Sequence, residues 1–123
     1  MSIRITKFHH ANVTVPANVE QAARNFYGSI LGLNEIPKPE SSRARGGAWY
    51  EIGQVQLHLS RAEGRDASES SRHVCLLAQD LDQTRRHLVE CGVEILPDER
   101  PIPGIARFYV RDPGGNLIEI AAE

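Results

Sequence analysis

The chain has 123 residues, 41% of them hydrophobic and 24% charged, with a formal net charge of -2. That suffices for one domain or two small modules packed together, and the mixed charge leaves no basic stripe of the kind a nucleic-acid partner needs. Its apolar runs fall well short of the roughly 20 residues of a membrane helix, and the opening Met-Ser-Ile-Arg-Ile has no signal-peptide core, so the expected address is cytoplasmic.

Taken in order, the first element is His10-Ala-Asn-Val-Thr-Val15, which alternates like a strand. His10, Asn12 and Thr14 share one face and Ala11, Val13 and Val15 the other, so the apolar face is predicted to pack on a helix and the polar face to line a site. A helix over about 18–31 follows, with Val19, Ala22, Phe26 and Ile30 at helical spacing, Asn18 and Gln21 as a capping box and Gly32 as the left-handed stop. Phe26 and Tyr27 are read as core. Residues 34–47, stiffened by Pro37 and Pro39 and then Gly-rich, read as a mobile loop. Its Arg43 and Arg45 are read as solvated, with contact to an anionic ligand the alternative. A hairpin closes the unit with Ala48-Trp-Tyr-Glu-Ile-Gly53 and Val55-Gln-Leu-His-Leu59, which places His58 and Gln56 on one face.

Residues 61–72 are polar, small and aperiodic, as a linker is. Beyond them the pattern repeats. His73-Val-Cys-Leu-Leu-Ala78 is a second strand opened by a histidine; a helix follows with Asp80 and Gln83 as its capping box and Gly92 at its end. Its His87 is predicted to face solvent. Residues 97–104 form a loop placed like 37–47. The hairpin Arg107-Phe-Tyr-Val-Arg-Asp112 and Leu117-Ile-Glu-Ile-Ala121, around Pro-Gly-Gly-Asn, ends the unit. Cys75 and Cys91 make no disulfide framework and are expected reduced. The chain is thus a single domain over 1–123: module one over 5–60, the linker 61–72 and module two over 73–123.

Superposing the halves brings out the chemistry. His10 and His58 occupy the places in module one that His73 and Glu119 occupy in module two, so metal-ligand residue types fall twice at matching positions. Three imidazoles and one carboxylate suit one divalent ion such as Fe, Mn, Ni, Co or Zn, and ligands from two pseudo-symmetric units would converge between them. Tyr109 and Arg107 share a strand face and are candidate substrate contacts; Asn12 and Gln56 are candidate cavity-lining residues. His9 has no counterpart and is read as structural. There is no phosphate-binding glycine loop, no Gly-x-Ser-x-Gly elbow and no His-Glu-x-x-His.

These pieces together resemble the vicinal oxygen chelate superfamily, which groups glyoxalase I, extradiol dioxygenases, fosfomycin-resistance transferases and bleomycin-resistance proteins. The resemblance is carried by His10-Ala-Asn-Val-Thr-Val15, Asn25-Phe-Tyr-Gly-Ser-Ile-Leu-Gly-Leu33, His73-Val-Cys-Leu and Asp112-Pro-Gly-Gly-Asn-Leu-Ile-Glu119, nearly the whole chain. It implies an α+β fold: two paired βαβββ modules forming a cup-shaped, partly open β-barrel with flanking helices, commonly a homodimer. It also implies metal positions at His10, His73 and Glu119, with His58 joining them as in glyoxalase I. The short bacterial glyoxalases usually carry Glu where this chain has His58, so Glu119 is the only general-base candidate at the metal. The expectation is a metal-dependent enzyme of isomerase or lyase type that binds vicinal oxygens of a small molecule. An Fe(II) extradiol-type dioxygenase and a non-catalytic resistance-type binding protein are the alternatives.

Overall fold

The computed structural model describes residues 2–64 and 66–123; Met1 and, within the linker, Arg65 lie outside the described residues. Module one runs β1 (His10–Val15), α1 (Glu20–Asn25), β2 (Asn34–Ile36), β3 (Ala48–Ile52) and β4 (Val55–Arg61). Module two runs β5 (His73–Ala78), α2 (Leu81–Glu90), β6 (Arg107–Arg111) and β7 (Leu117–Ala122). Two small sheets result, ordered β1-β4-β3-β2 and β5-β7-β6. In each, the strand that opens the module lies parallel to the strand that closes it. The fold is α+β, and no closed barrel forms among the described residues.

The registers show how closely the modules copy one another. In β1 and β4, Asn12 stands opposite His58; in β5 and β7, Cys75 stands opposite Glu119. Each opening histidine is therefore two residues out of register with its partner on the closing strand. Next along each sheet, Trp49 of β3 faces His58 and Tyr109 of β6 faces Glu119. One face of each sheet is apolar and packs on the helices, through Val15, Tyr50, Leu57 and Leu59 in the first and Phe108, Val110, Ile118 and Ile120 in the second. Phe26 and Tyr27 are buried in this core, as read from their spacing. The opposite faces carry His10, Asn12, Trp49 and His58, and His73, Cys75, Tyr109 and Glu119.

Three local expectations need correction. The first helix has no side-chain cap from Asn18: Pro16 starts a 3-10 turn over Ala17–Val19, and α1 then passes into a π-helical turn over Phe26–Ile30. A proline with fixed φ already starts the turn, so the Asn18 cap is not needed. Residues 34–47 are not one loop, since they hold β2 and a 3-10 helix over Glu40–Arg45. The third strand that the βαβββ resemblance implies after the helix of module two shrinks to a single bridge between Leu96 and Tyr109. By contrast α2 is capped as expected, Asp80 Oδ1 accepting from the Gln83 amide at 2.9 Å, and Gly32 and Gly92 both stand at positive φ.

The turn Asp112-Pro-Gly-Gly-Asn116 joins the modules. Asp112 is 4% exposed, yet its carboxylate accepts from the amides of Gly114 and Asn116, each at 2.9 Å, and from the Tyr27 hydroxyl at 2.5 Å. Asn116 Nδ2 donates to the Thr14 carbonyl at 2.9 Å. A Cβ at Gly114 would come within 2.5 Å of Val15 Cγ1, so this turn can approach β1 only as glycine. His87 adds a second tie, bonding the Ile30 carbonyl at 2.9 Å. No helix among the described residues is long and apolar enough to cross a membrane.

Candidate functional site

On the first sheet the three rings of Trp49, His58 and His10 stand side by side. Trp49 and His58 are stacked with centroids 3.8 Å apart and planes 2° from parallel; His58 and His10 follow at 4.1 Å and 16°. The alternation of three neighbouring strands aligns them on one face. His58 is buried, and its Nε2 lies 2.8 Å from Gln56 Oε1. Burial first, then the neighbouring His10, His9 and Lys38, push the His58 imidazole down to about 4. Asn12 Oδ1 accepts from Ser60 Oγ at 2.6 Å. His9 stays exposed, its Nδ1 2.8 Å from that of His10.

On the second sheet the buried Glu119 carboxylate is a hub. It meets His73 Nε2 at 3.0 Å and accepts from the Cys75 thiol at 3.3 Å, the Tyr109 hydroxyl at 3.3 Å and Arg107 Nη1 at 3.5 Å. Arg107 is itself held by Asp98, Nε to Oδ2 at 2.9 Å and Nη2 to Oδ1 at 3.3 Å. The loop 97–104 thereby fixes the guanidinium that faces Glu119. Burial would raise the Glu119 carboxyl, but the Cys75 thiol, the Arg107 guanidinium and His73 outweigh it and hold it below the ordinary range. Burial, with the charge of Glu119, pushes the Cys75 thiol up to about 11, so it serves as a neutral donor. Cys75 and Cys91 are both free thiols.

Each predicted pair is therefore assembled, but the two pairs do not meet in one chain. Among the described residues no three His, Cys, Asp or Glu side chains gather as a metal would need. The pairs also differ in fit. Two donors each about 2.1 Å from one ion at a right angle lie about 3 Å apart, which is the His73 to Glu119 separation. Stacked imidazoles instead hold their lone pairs in nearly parallel planes, so His10 and His58 as placed do not aim at one point.

Of the candidate substrate contacts, Tyr109 and Arg107 touch Glu119, while Asn12 lines a cavity of about 320 Å³ with His10, His58, Trp49, Ser60, Lys38, Ser42 and Arg45. Gln56 stands beside it through His58. Larger cavities lie behind the sheets; in the one of about 590 Å³, Asp80 and His87 serve α2 and its tie to Ile30. Sequence reasoning missed Trp49, Lys38, Cys75 and Asp98. The repeat could have found Trp49, which stands where Tyr109 stands in the other module.

Two modules that each bring a parallel opening and closing strand together, with polar faces bearing equivalent donor pairs, define a class of paired βαβββ proteins. The chain belongs to the Glyoxalase/Bleomycin resistance protein/Dioxygenase superfamily, whose pattern it matches over residues 7–120. It is similar to a protein assigned to the glyoxalase family from Bacillus anthracis, with 33% identity and a TM-score of 0.89 over 100% of this chain and 99% of that one. A glyoxalase/dioxygenase from Nostoc punctiforme shares the fold at 24% identity and a TM-score of 0.77, covering 99% of each chain. Lactoylglutathione lyase from Agrobacterium tumefaciens shares it at 19% identity and 0.72, over 97% of this chain and 95% of that one.

Proposed function

We propose that this chain is a metal-dependent enzyme of its superfamily that binds a small molecule through two neighbouring oxygens and carries out isomerase or lyase chemistry. The observation that carries the reading is the 3.0 Å approach of His73 Nε2 to Glu119 Oε1, the spacing of adjacent ligands on one divalent ion. His73 and Glu119 would hold that ion in module two. Among the described residues no group of three His, Cys, Asp or Glu suited to a metal forms around them, so His10 and His58, with their rings turned out of the stack, would come from a second copy in a homodimer. When bound, the ion supplies Lewis acidity toward the substrate oxygens.

The chain's own residues have distinct parts. Glu119, held ionised by the donors around it, is the group that would accept a proton from substrate; it is a weak base until the substrate C–H or O–H is acidified. Tyr109 donates to the same carboxylate and faces the open side of the sheet, where it would orient the substrate. Arg107, fixed by Asp98, keeps the carboxylate charged and in place. Elemental analysis of protein purified without tag or chelator tests the reading. The wild type should carry a near-stoichiometric transition metal, Mn, Co, Ni or Zn rather than Fe, and a His73→Ala, Glu119→Ala double variant should carry none. Wild type that takes up no metal even after these ions are added back would overturn it and favour a binding protein; bound iron with oxygen uptake on a catechol would favour a dioxygenase.

A further inference from the structure

Beyond His10 and His58, the cavity on the polar face of the first sheet is lined by groups that the metal reading does not use. Its lining holds two full cations, Lys38 and Arg45, the two imidazoles of His10 and His58, the hydroxyls of Ser42 and Ser60, the Asn12 amide and the Trp49 indole, and, among the described residues, no carboxylate. Of the nearby acidic residues, Glu51 shares this sheet face but does not line the cavity and accepts from Asn34 Nδ2 at 2.5 Å. Glu40, in the 3-10 helix beside the cavity, does not line it either, and Glu20 is engaged by the Gly47 amide at 2.9 Å and Arg61 Nε at 3.3 Å.

Nor is the segment that carries them a loose loop. Residues 40–45 form a 3-10 helix. Lys38 Nζ donates to the Gly46 carbonyl, and Arg61 Nη2 to that of Ala44 at 3.1 Å. The segment is thus tied at its C-terminal end, with Lys38 and Arg45 at the wall of the cavity.

We propose that this cavity receives a small oxyanion carried on a flat apolar body, with Lys38 and Arg45 as its counter-charges, Ser42 as a hydroxyl donor and Trp49 as its apolar wall. The guanidinium offers a planar fork that matches a carboxylate or phosphate edge, and the ammonium a point charge beside it. Hydrogen-bonding groups crowded around a cavity with positive charge and no carboxylate among its described lining residues favour a ligand that brings the negative charge. At about 320 Å³ the space lies at the small end of ligand cavities, so the ligand is a compact one. The inference names the substrate class for the site proposed above and rests on these polar faces being the ligand site.

Trp49 is the only tryptophan in the chain, so emission excited at its red edge reports on this cavity alone. Benzoate and phenyl phosphate would be titrated against the full chain, with benzamide as the neutral counterpart. The expected result is a saturable change in emission with the two anions and at least about tenfold weaker binding of benzamide, the size of one lost charge-assisted contact. Lys38→Met and Arg45→Met should each weaken the anions by about tenfold and leave benzamide unchanged. Equal binding of anions and benzamide, or anion binding untouched by both substitutions, would overturn the proposal. The His73→Ala, Glu119→Ala variant separates it from the metal reading. Anion binding that survives there without metal supports the cavity on its own; a wild type that loads metal but does not discriminate charge sinks the cavity and leaves the metal.

Discussion

At the scale of single residues, the most constrained contact is the hydroxyl of Tyr27 on the carboxylate of Asp112, 85 positions away and 2.5 Å apart. Both side chains are buried, and the pair holds the first helix to the turn that closes module two. Tyr27→Phe keeps the ring and removes the donor, leaving Asp112 Oδ2 with Asn116 Nδ2 alone, at 2.9 Å. The expected loss is about 1–3 kcal/mol in urea unfolding at neutral pH. Burial first, then the charge of Asp112, push the tyrosine hydroxyl well above its ordinary 10.0. A folded value above the unfolded one means the contribution is intact below pH 10 and is lost as pH rises past it, because the unfolded tyrosine ionises first. The gap between wild type and Tyr27→Phe should stay level up to about pH 9 and narrow above 10. The same scale shows what the sequence conveys best. His10, His58, His73 and Glu119 were legible because a duplication places them twice, and strand alternation then fixes their faces. Cys75 and Asp98 were not, since a thiol or a loop carboxylate acquires its role only from the group the fold sets beside it.

Elements show the limit of local reading more sharply. Strand and helix positions follow from alternation and from the cap of α2, all set by neighbours a few residues away. The conformation of residues 34–47 does not, because its partners are remote: the Gly47 amide donates to Glu20 and Arg61 reaches back to Ala44. That is why a segment read as one mobile loop instead holds β2 and a 3-10 helix, while Arg43 and Arg45 are exposed as read, Arg45 at the rim of the cavity. Gly47 is the pivot. It stands at φ +72, and a Cβ there would lie 1.8 Å from the Leu59 carbonyl oxygen, whereas Gly32 at φ +71 has open space around it. Gly32→Ala should therefore cost only the left-handed strain, about 1 kcal/mol. Gly47→Ala must also move backbone of β4 and should cost roughly 3 kcal/mol or more. Denaturant midpoints of the two variants side by side would check this, and equal losses would mean that the approach of Gly47 to β4 is not what fixes the segment.

At the scale of the whole molecule, the two donor pairs form no common metal group among the described residues of one chain. Each sheet packs its apolar face into the shared core and carries its donor pair on the opposite face, and the modules are tied through Tyr27, Asp112 and Asn116. Duplication supplied the halves, but no pattern within one sequence states which copy completes which. If the site is built across a homodimer, a chain lacking His10 and His58 and one lacking His73 and Glu119 should each bind no metal alone. Refolded together, they should form mixed dimers with one intact and one doubly defective site. Random pairing of equal amounts would then restore about a quarter of an ion per chain. Metal content after mixing is the measurement: recovery near that level places the site between copies, while none from mixed dimers of verified mass would mean that the two pairs serve separate ends, module two at Glu119 and module one at its cationic cavity.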